Sequence, residues 1–144
     1  MNCLHKTRQV HVEFSLNLKM DVSQEVERLY GHEVRTRVCG ICFSEGRLLL
    51  VKHLGLTSVG FLWAPPGGGV QYGTSLESNL IREFKEETGL SVNVARFLFV
   101  YEYVGAPLQT IELFFEVQPT GGVLCKGVDP EMSDSQQIID EVRF

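Results

Sequence analysis

The chain has 144 residues, 44% hydrophobic and 22% charged; this is one domain's worth of ordinary globular protein, not a disordered or fibrous chain. Its 13 basic and 18 acidic residues leave a net charge of −5, so it has no general electrostatic footprint for a DNA or RNA duplex, though a local cation can still reverse the field at one nucleotide site. Apolar runs such as Leu48–Val51 are far short of the roughly 20 residues that span a bilayer, and no apolar signal core follows the first residues; a cytoplasmic protein away from the membrane is the expectation.

Val10 to Leu18 alternates apolar and polar residues strictly and predicts a strand. From Asp21 to Tyr30 the period becomes helical, with Val22, Val26, Leu29 and Tyr30 on one stripe and Gly31 as a stop. Met20, just before that helix, is a second candidate start. Residues 1–33 therefore read as an N-terminal extension and 34–144 as the main domain.

Val34 to Phe43 predicts a strand. It carries Cys39 and Cys42, a C-x-x-C with no second pair of ligands at metal spacing, so both are expected as small core residues. His5, His11, His32 and His53 do not pair at helical ligand spacing, and no zinc site is expected. Ser44 to Arg47 is a turn, Leu48 to His53 a strand completing a hairpin, and Leu54 to Leu62 a loop. Trp63-Ala64-Pro65-Pro66 is a rigid entry into Gly67-Gly68-Gly69. The clearest helix runs from Ser75 to Thr88, with Thr74 and Glu77 as its capping box and Gly89 as its end. Strands follow over Val92 to Val104 and Thr110 to Gln118, and Gly105-Ala106-Pro107 begins their connection. Then come a turn at Pro119 to Gly122, a short strand at Val123 to Cys125, a polar loop from Asp129 to Gln137 and a last strand from Ile138 to Phe144.

The chemistry lies in Arg82-Glu83-Phe84-Lys85-Glu86-Glu87-Thr88-Gly89-Leu90. At about 100° per residue, Glu83, Glu86 and Glu87 share one side of a helix, beside the core stripe of Leu76, Leu80 and Phe84. Like charges at these spacings repel, and anions near a helix C-terminus oppose the macrodipole. Such a cluster is either a solvated face or a cation site, and all-oxygen donors suit Mg²⁺ or Mn²⁺. The glycine loop is neither a P-loop nor a dinucleotide fingerprint.

This stretch resembles the box of the Nudix hydrolase family: Gly, five residues, Glu, seven residues, then Arg-Glu-apolar-x-Glu-Glu-x-Gly-apolar. Gly68 matches its opening, and Arg82, Glu83, Phe84, Glu86, Glu87, Gly89 and Leu90 match its close. The Trp63 to Gly69 approach and the preceding hairpin are also similar, and the likeness spans roughly Val34 to Phe144. It implies an α/β fold, an α/β/α sandwich with a mixed sheet, and hydrolysis of a diphosphate bond in a nucleoside diphosphate linked to another moiety. The substrate would be a small nucleotide. By the same resemblance Glu83, Glu86 and Glu87 hold Mg²⁺ or Mn²⁺, Arg82 orients the acids, and Gly68 and Gly69 let the backbone approach metal or phosphate. The general base would be one of these acids (Glu83, Glu86) or a later acid: Glu131, Asp134, Asp140 or Glu141.

The chain departs from the pattern at Thr74, where the family has its first Glu, and at Gln71, where many members have an acid. Members of that family usually continue into a C-terminal helix, which is not expected before Phe144; either the sequence is truncated, or the N-terminal helix or a second copy of the chain, as a homodimer, covers that sheet face. The rival reading is a nucleotide-binding sensor that does not hydrolyse; an isomerase of diphosphate-bearing substrates is a third. Base stacking would fall to Tyr72, Tyr101 or Phe61, and specificity to the 54–62 loop and the strands around Tyr101 and Tyr103.

Overall fold

This computed structural model describes residues 24–57, 59–132 and 136–144. The strand expected at Val10 to Leu18, and Asp134, lie outside them. Residues 24–30 are helical (α1). Then follow β1 (Val34–Ser44), β2 (Arg47–Leu48), β3 (Leu50–Leu54), β4 (Phe61–Ala64), β5 (Gly67–Gly69), α2 (Leu76–Thr88), β6 (Leu90–Gly105), β7 (Leu108–Gly122) and β8 (Ile139–Arg143).

The main sheet runs β2-β1-β7-β6, with β5 also paired to β1. It is mixed: β1 and β7 are parallel, while β6–β7 and β1–β5 are antiparallel. A smaller sheet has the order β4-β3-β8. Side chains alternate along β1. Val38 and Cys42 point to one face and join Leu49, Leu80, Phe84, Leu90, Val92 and Val117 in the core under α2. Arg35 and Arg37 point to the other face, where the Tyr30 ring of α1 stacks on Arg35 with the guanidinium carbon 3.7 Å from its centroid. Helix, sheet and helix thus form the expected α/β/α sandwich. Cys39 and Cys42 are free and buried, as their place on a strand predicts. Among the described residues no helix is long and apolar enough to cross a membrane.

The structure corrects several expected elements. The hairpin after Ser44 is only two residue pairs long, Phe43 with Leu48 and Ser44 with Arg47. Leu49 then turns fully into the core, and the chain passes to the second sheet as β3. The segment expected to be a rigid entry is partly strand, because Phe61–Ala64 pairs with β3 and the glycines pair with β1. The turn expected at Pro119 to Gly122 is the end of β7, held by pairing with Leu90 to Val92. Val123 to Cys125 forms no strand.

Helix α2 also starts differently. Its N-cap is Ser75, whose hydroxyl accepts from the Ser78 amide at 3.0 Å, so the Thr74–Glu77 capping box does not form. Thr74 instead donates to the Gln71 carbonyl at 2.8 Å and accepts from the Asn79 side chain. At the other end Gly89 closes the helix in the left-handed region at φ 74°, where a side chain would be strained.

Candidate active site

Residues four apart on α2 make two buried stripes. Leu80, Phe84 and Thr88 enter the core, and Asn79, Glu83 and Glu87 lie alongside them. The polar stripe is matched residue by residue to the glycine segment. Asn79 Oδ1 accepts from the Gln71 amide at 2.9 Å, and Glu87 Oε2 accepts from the Gly67 amide at 2.9 Å. Between them the Glu83 carboxylate lies so close over Gly68 that a Cβ there would collide with it. The glycines therefore let two acids sit against the backbone, each almost buried, at 7% exposure for Glu83 and 5% for Glu87.

Burial pushes the Glu83 carboxyl up to about 7. Arg82 opposes that rise, and Glu87 and Glu86 add to it. Arg82 donates to Glu83 Oε1 and to Glu86 Oε2, both at 2.6 Å. Glu86 is thereby drawn to the margin of the site, with 27% of its side chain exposed. Among the described residues no three His, Cys, Asp or Glu side chains converge tightly enough to enclose a metal by themselves.

The acids form one wall of a cleft with about 850 Å³ of non-atom space, solvent at its mouth included. Gly68, Gly69, Arg82, Glu83 and Glu87 line it, and Glu86 does not. Several lining residues escaped the sequence reading. His53, on β3, places Nε2 3.5 Å from Glu87 Oε1, and its buried Nδ1 has no hydrogen-bond partner. Arg35 and Arg37 line the facing wall, Tyr30 lines it from α1, and Asp129 arrives from the loop after β7, beside the already considered Glu131.

That loop is fixed by the helix it follows. The amides of Cys125, Gly127 and Val128 donate to the carbonyls of Thr88, Glu87 and Glu86 at 3.0, 3.0 and 3.3 Å, satisfying acceptors that a helix end leaves open. Gln137 then ties the loop by accepting from the Asp129 amide and donating to the carbonyls of Asp129 and Met132. Burial raises the Asp129 carboxyl above its ordinary value, and the Glu131 amide works against that rise.

Of the later acids considered from sequence, Glu131 alone among the described ones lines the cleft. Asp140 pairs with Lys52 at 2.7 Å, and Glu141 faces Arg143 at 3.4 Å. The aromatics proposed for stacking are elsewhere. Tyr72 is fully exposed, Phe61 and Tyr101 are about half exposed, and none lines the cleft. The residues missed had one available signal, the repeat of Arg at positions 35 and 37 of a strand, which puts two cations on one face.

The model of the NUDIX domain matches residues 31–134, and the chain belongs to that family. An ADP-ribose pyrophosphatase of Methanocaldococcus jannaschii is 34% identical over 109 residues, 74% of this chain and 63% of that protein. The chain therefore spans less than two thirds of the length of that relative. A NUDIX hydrolase from Nitrosomonas europaea superposes with a TM-score of 0.63 at 18% identity, covering 77% of this chain and 71% of that one. A MutT NUDIX hydrolase from Burkholderia pseudomallei gives 0.61 at 21%, covering 78% and 82%. At these identities the structures establish the fold.

Proposed function

We propose that the chain hydrolyses a diphosphate bond in a nucleoside diphosphate linked to another group, with Mg²⁺ or Mn²⁺ as cofactor. The observation that carries this reading is the pair of buried acids, Glu83 and Glu87, pressed against Gly67 and Gly68, with Glu83 raised to about 7. Burying like charges together costs free energy unless a proton or a cation joins them. Their donor atoms are all oxygens, which fits a hard divalent ion that completes its shell with water and substrate oxygens.

Glu83 and Glu87 would hold the ion, and Glu86, at the margin of the site, would be the third acid. When bound, such an ion neutralises diphosphate charge and lowers the pKa of coordinated water. The protein's own residues do the rest. Arg82 holds Glu83 and Glu86 in place by charge-assisted hydrogen bonds. An acid of this cluster, or Asp129 or Glu131 from the facing loop, takes the proton of the attacking water. Base catalysis of that kind contributes about 10²–10⁴-fold. The substrate binds as a small nucleotide in the cleft, and the M. jannaschii relative makes ADP-ribose the first compound to try.

The test is a panel of ADP-ribose, nucleotide sugars, dinucleoside polyphosphates and nucleoside triphosphates, assayed for released phosphate esters with Mg²⁺ and with EDTA. Turnover that needs the ion and falls at least 100-fold in Glu87→Gln supports the reading. Binding without turnover would favour the sensor, and turnover untouched by EDTA and by Glu87→Gln would refute the site.

A further inference from the structure

The wall facing the acids is built for an anion, and one of the protein's own carboxylates already competes for it. Arg35 and Arg37 stand two residues apart on β1 and share a face. Gly69 is the register partner of Arg37, and a Cβ on Gly69 would lie 2.6 Å from Arg35 Nη2. Consecutive glycines thus admit opposite charges: Gly68 makes room for Glu83, and Gly69 makes room for Arg35. Arg37 donates through Nη2 to the Gly67 carbonyl at 3.2 Å and has Nη1 3.4 Å from Glu112. Its buried Nε has no hydrogen-bond partner. A buried donor left unpaired is costly, and a guanidinium with a free edge is suited to phosphate oxygens.

Arg35 is engaged only loosely. Glu131 Oε2 lies 3.7 Å from its Nη2, too far for a hydrogen bond. The same Glu131 oxygen accepts from the Tyr30 hydroxyl at 2.5 Å, and the Tyr30 ring underlies Arg35. Glu131 is held there by its loop, since its amide donates to Asp129 Oδ1 at 2.9 Å. Burial and then the like charge of Arg37 pull the Arg35 guanidinium below its ordinary pKa. Arg37 has Glu112 beside it, but Arg35 has only the incomplete counter-ion Glu131, and this crowded pair of cations makes a place for a more highly charged anion.

We infer that Arg35 and Arg37 bind the substrate's diphosphate and that Glu131 is a built-in competitor, holding Arg35 until phosphate oxygens replace it. The inference rests on the proposed diphosphate hydrolysis and adds the residues that select for phosphate charge. Discrimination follows from the exchange, because a weak monoanion gains little by displacing Glu131, whereas a diphosphate engages both guanidiniums at once.

The experiment is calorimetric binding of α,β-methylene-ADP, a diphosphate that is not hydrolysed at that bond, to the full chain in Mg²⁺. Arg35→Gln and Arg37→Gln should each weaken binding about 10-fold or more, the scale of one charge-assisted contact. Arg37→Lys, which keeps the charge but lacks Nε, should also weaken it and stands in should Arg37→Gln not fold. Glu131→Gln should tighten binding about 3- to 10-fold, and that gain should vanish in the Arg35→Gln background, since coupled residues are not additive. If Glu131→Gln leaves affinity unchanged or lowers it, or tightens it equally without Arg35, the competition is refuted. Binding indifferent to both arginines overturns this inference alone; no binding to the unaltered chain overturns it together with the reading beneath it.

Discussion

Replacing Glu83 by Gln should make the metal-free protein more stable, and the gain should grow with pH. Glu83 titrates near 7 in the folded chain, against an ordinary 4.5. Below about pH 4.5 both folded and unfolded chains carry it protonated, so its burial brings no ionisation penalty. As pH rises towards 7 the unfolded chain ionises first, and the wild-type protein loses stability across that window. The distance from 4.5 to about 7 is worth up to about 3 kcal/mol at about 1.36 kcal/mol per pH unit, and with only 10% of the side chain exposed little is screened by solvent. Gln has nearly the same shape, keeps an oxygen for Arg82 and carries no charge. In EDTA, urea unfolding should therefore show Glu83→Gln more stable than wild type by about 2–3 kcal/mol at pH 8 and by less than about 1 kcal/mol at pH 5. Added Mg²⁺ should reverse the order at pH 8, because a ligand stabilises only the form that binds it. A variant less stable at both values, or a gain that ignores pH, would refute the argument that Glu83 is a destabilising charge kept for a cation.

Gly68→Ala places a methyl group where the Glu83 carboxylate lies. It should lower turnover by about 10²-fold or more, as misplacing a reacting group by an ångström does, and it should be read as kcat in a steady-state assay. Phe84 is fully buried, and Phe84→Ala should cost about 3–5 kcal/mol in denaturant unfolding. Ser75→Ala should cost about 1 kcal/mol as the loss of an N-cap, while Glu77→Gln should cost far less; the opposite order would restore the capping box expected from sequence.

What could be read from the sequence was local. The α2 segment packs its acids, its core stripe and its stop within a few helical turns, so spacing alone places Leu80 and Phe84 inward and Glu83 and Glu87 side by side. The edges were less legible. Two serine or threonine hydroxyls stood at adjacent positions, and the cap went to Ser75 because Thr74 was taken up by Gln71 and Asn79. Glycine has poor strand propensity, yet Gly67–Gly69 pairs with β1, because only a backbone without side chains fits between that strand and the acids of α2. Likewise Pro119 to Gly122 looks like a turn but is carried along by the β6–β7 ladder. The break at Leu49 left no local mark, since a buried leucine suits a continuous strand as well as a crossing between sheets.

The second wall was hidden for a different reason. His53, Arg35, Arg37 and Asp129 come from two strands and a loop, and nothing in their sequence neighbourhoods says that these meet; Glu131, on the same loop, was a candidate only through the family resemblance. The arrangement follows from topology. The parallel β1–β7 pair sets the arginines beside Thr110 and Glu112, and the amides after Cys125 dock on the end of α2 and turn the loop acids inward.

The most direct test of the central claim is a titration of Mn²⁺ into the full chain, followed by the loss of its free-ion electron paramagnetic resonance signal, at pH 8 with and without α,β-methylene-ADP. The account expects saturable uptake that is lost in the Glu83→Gln/Glu87→Gln double variant while the variant stays folded. Uptake that is equal in the two proteins, or absent from the unaltered chain even with the nucleotide present, would contradict it.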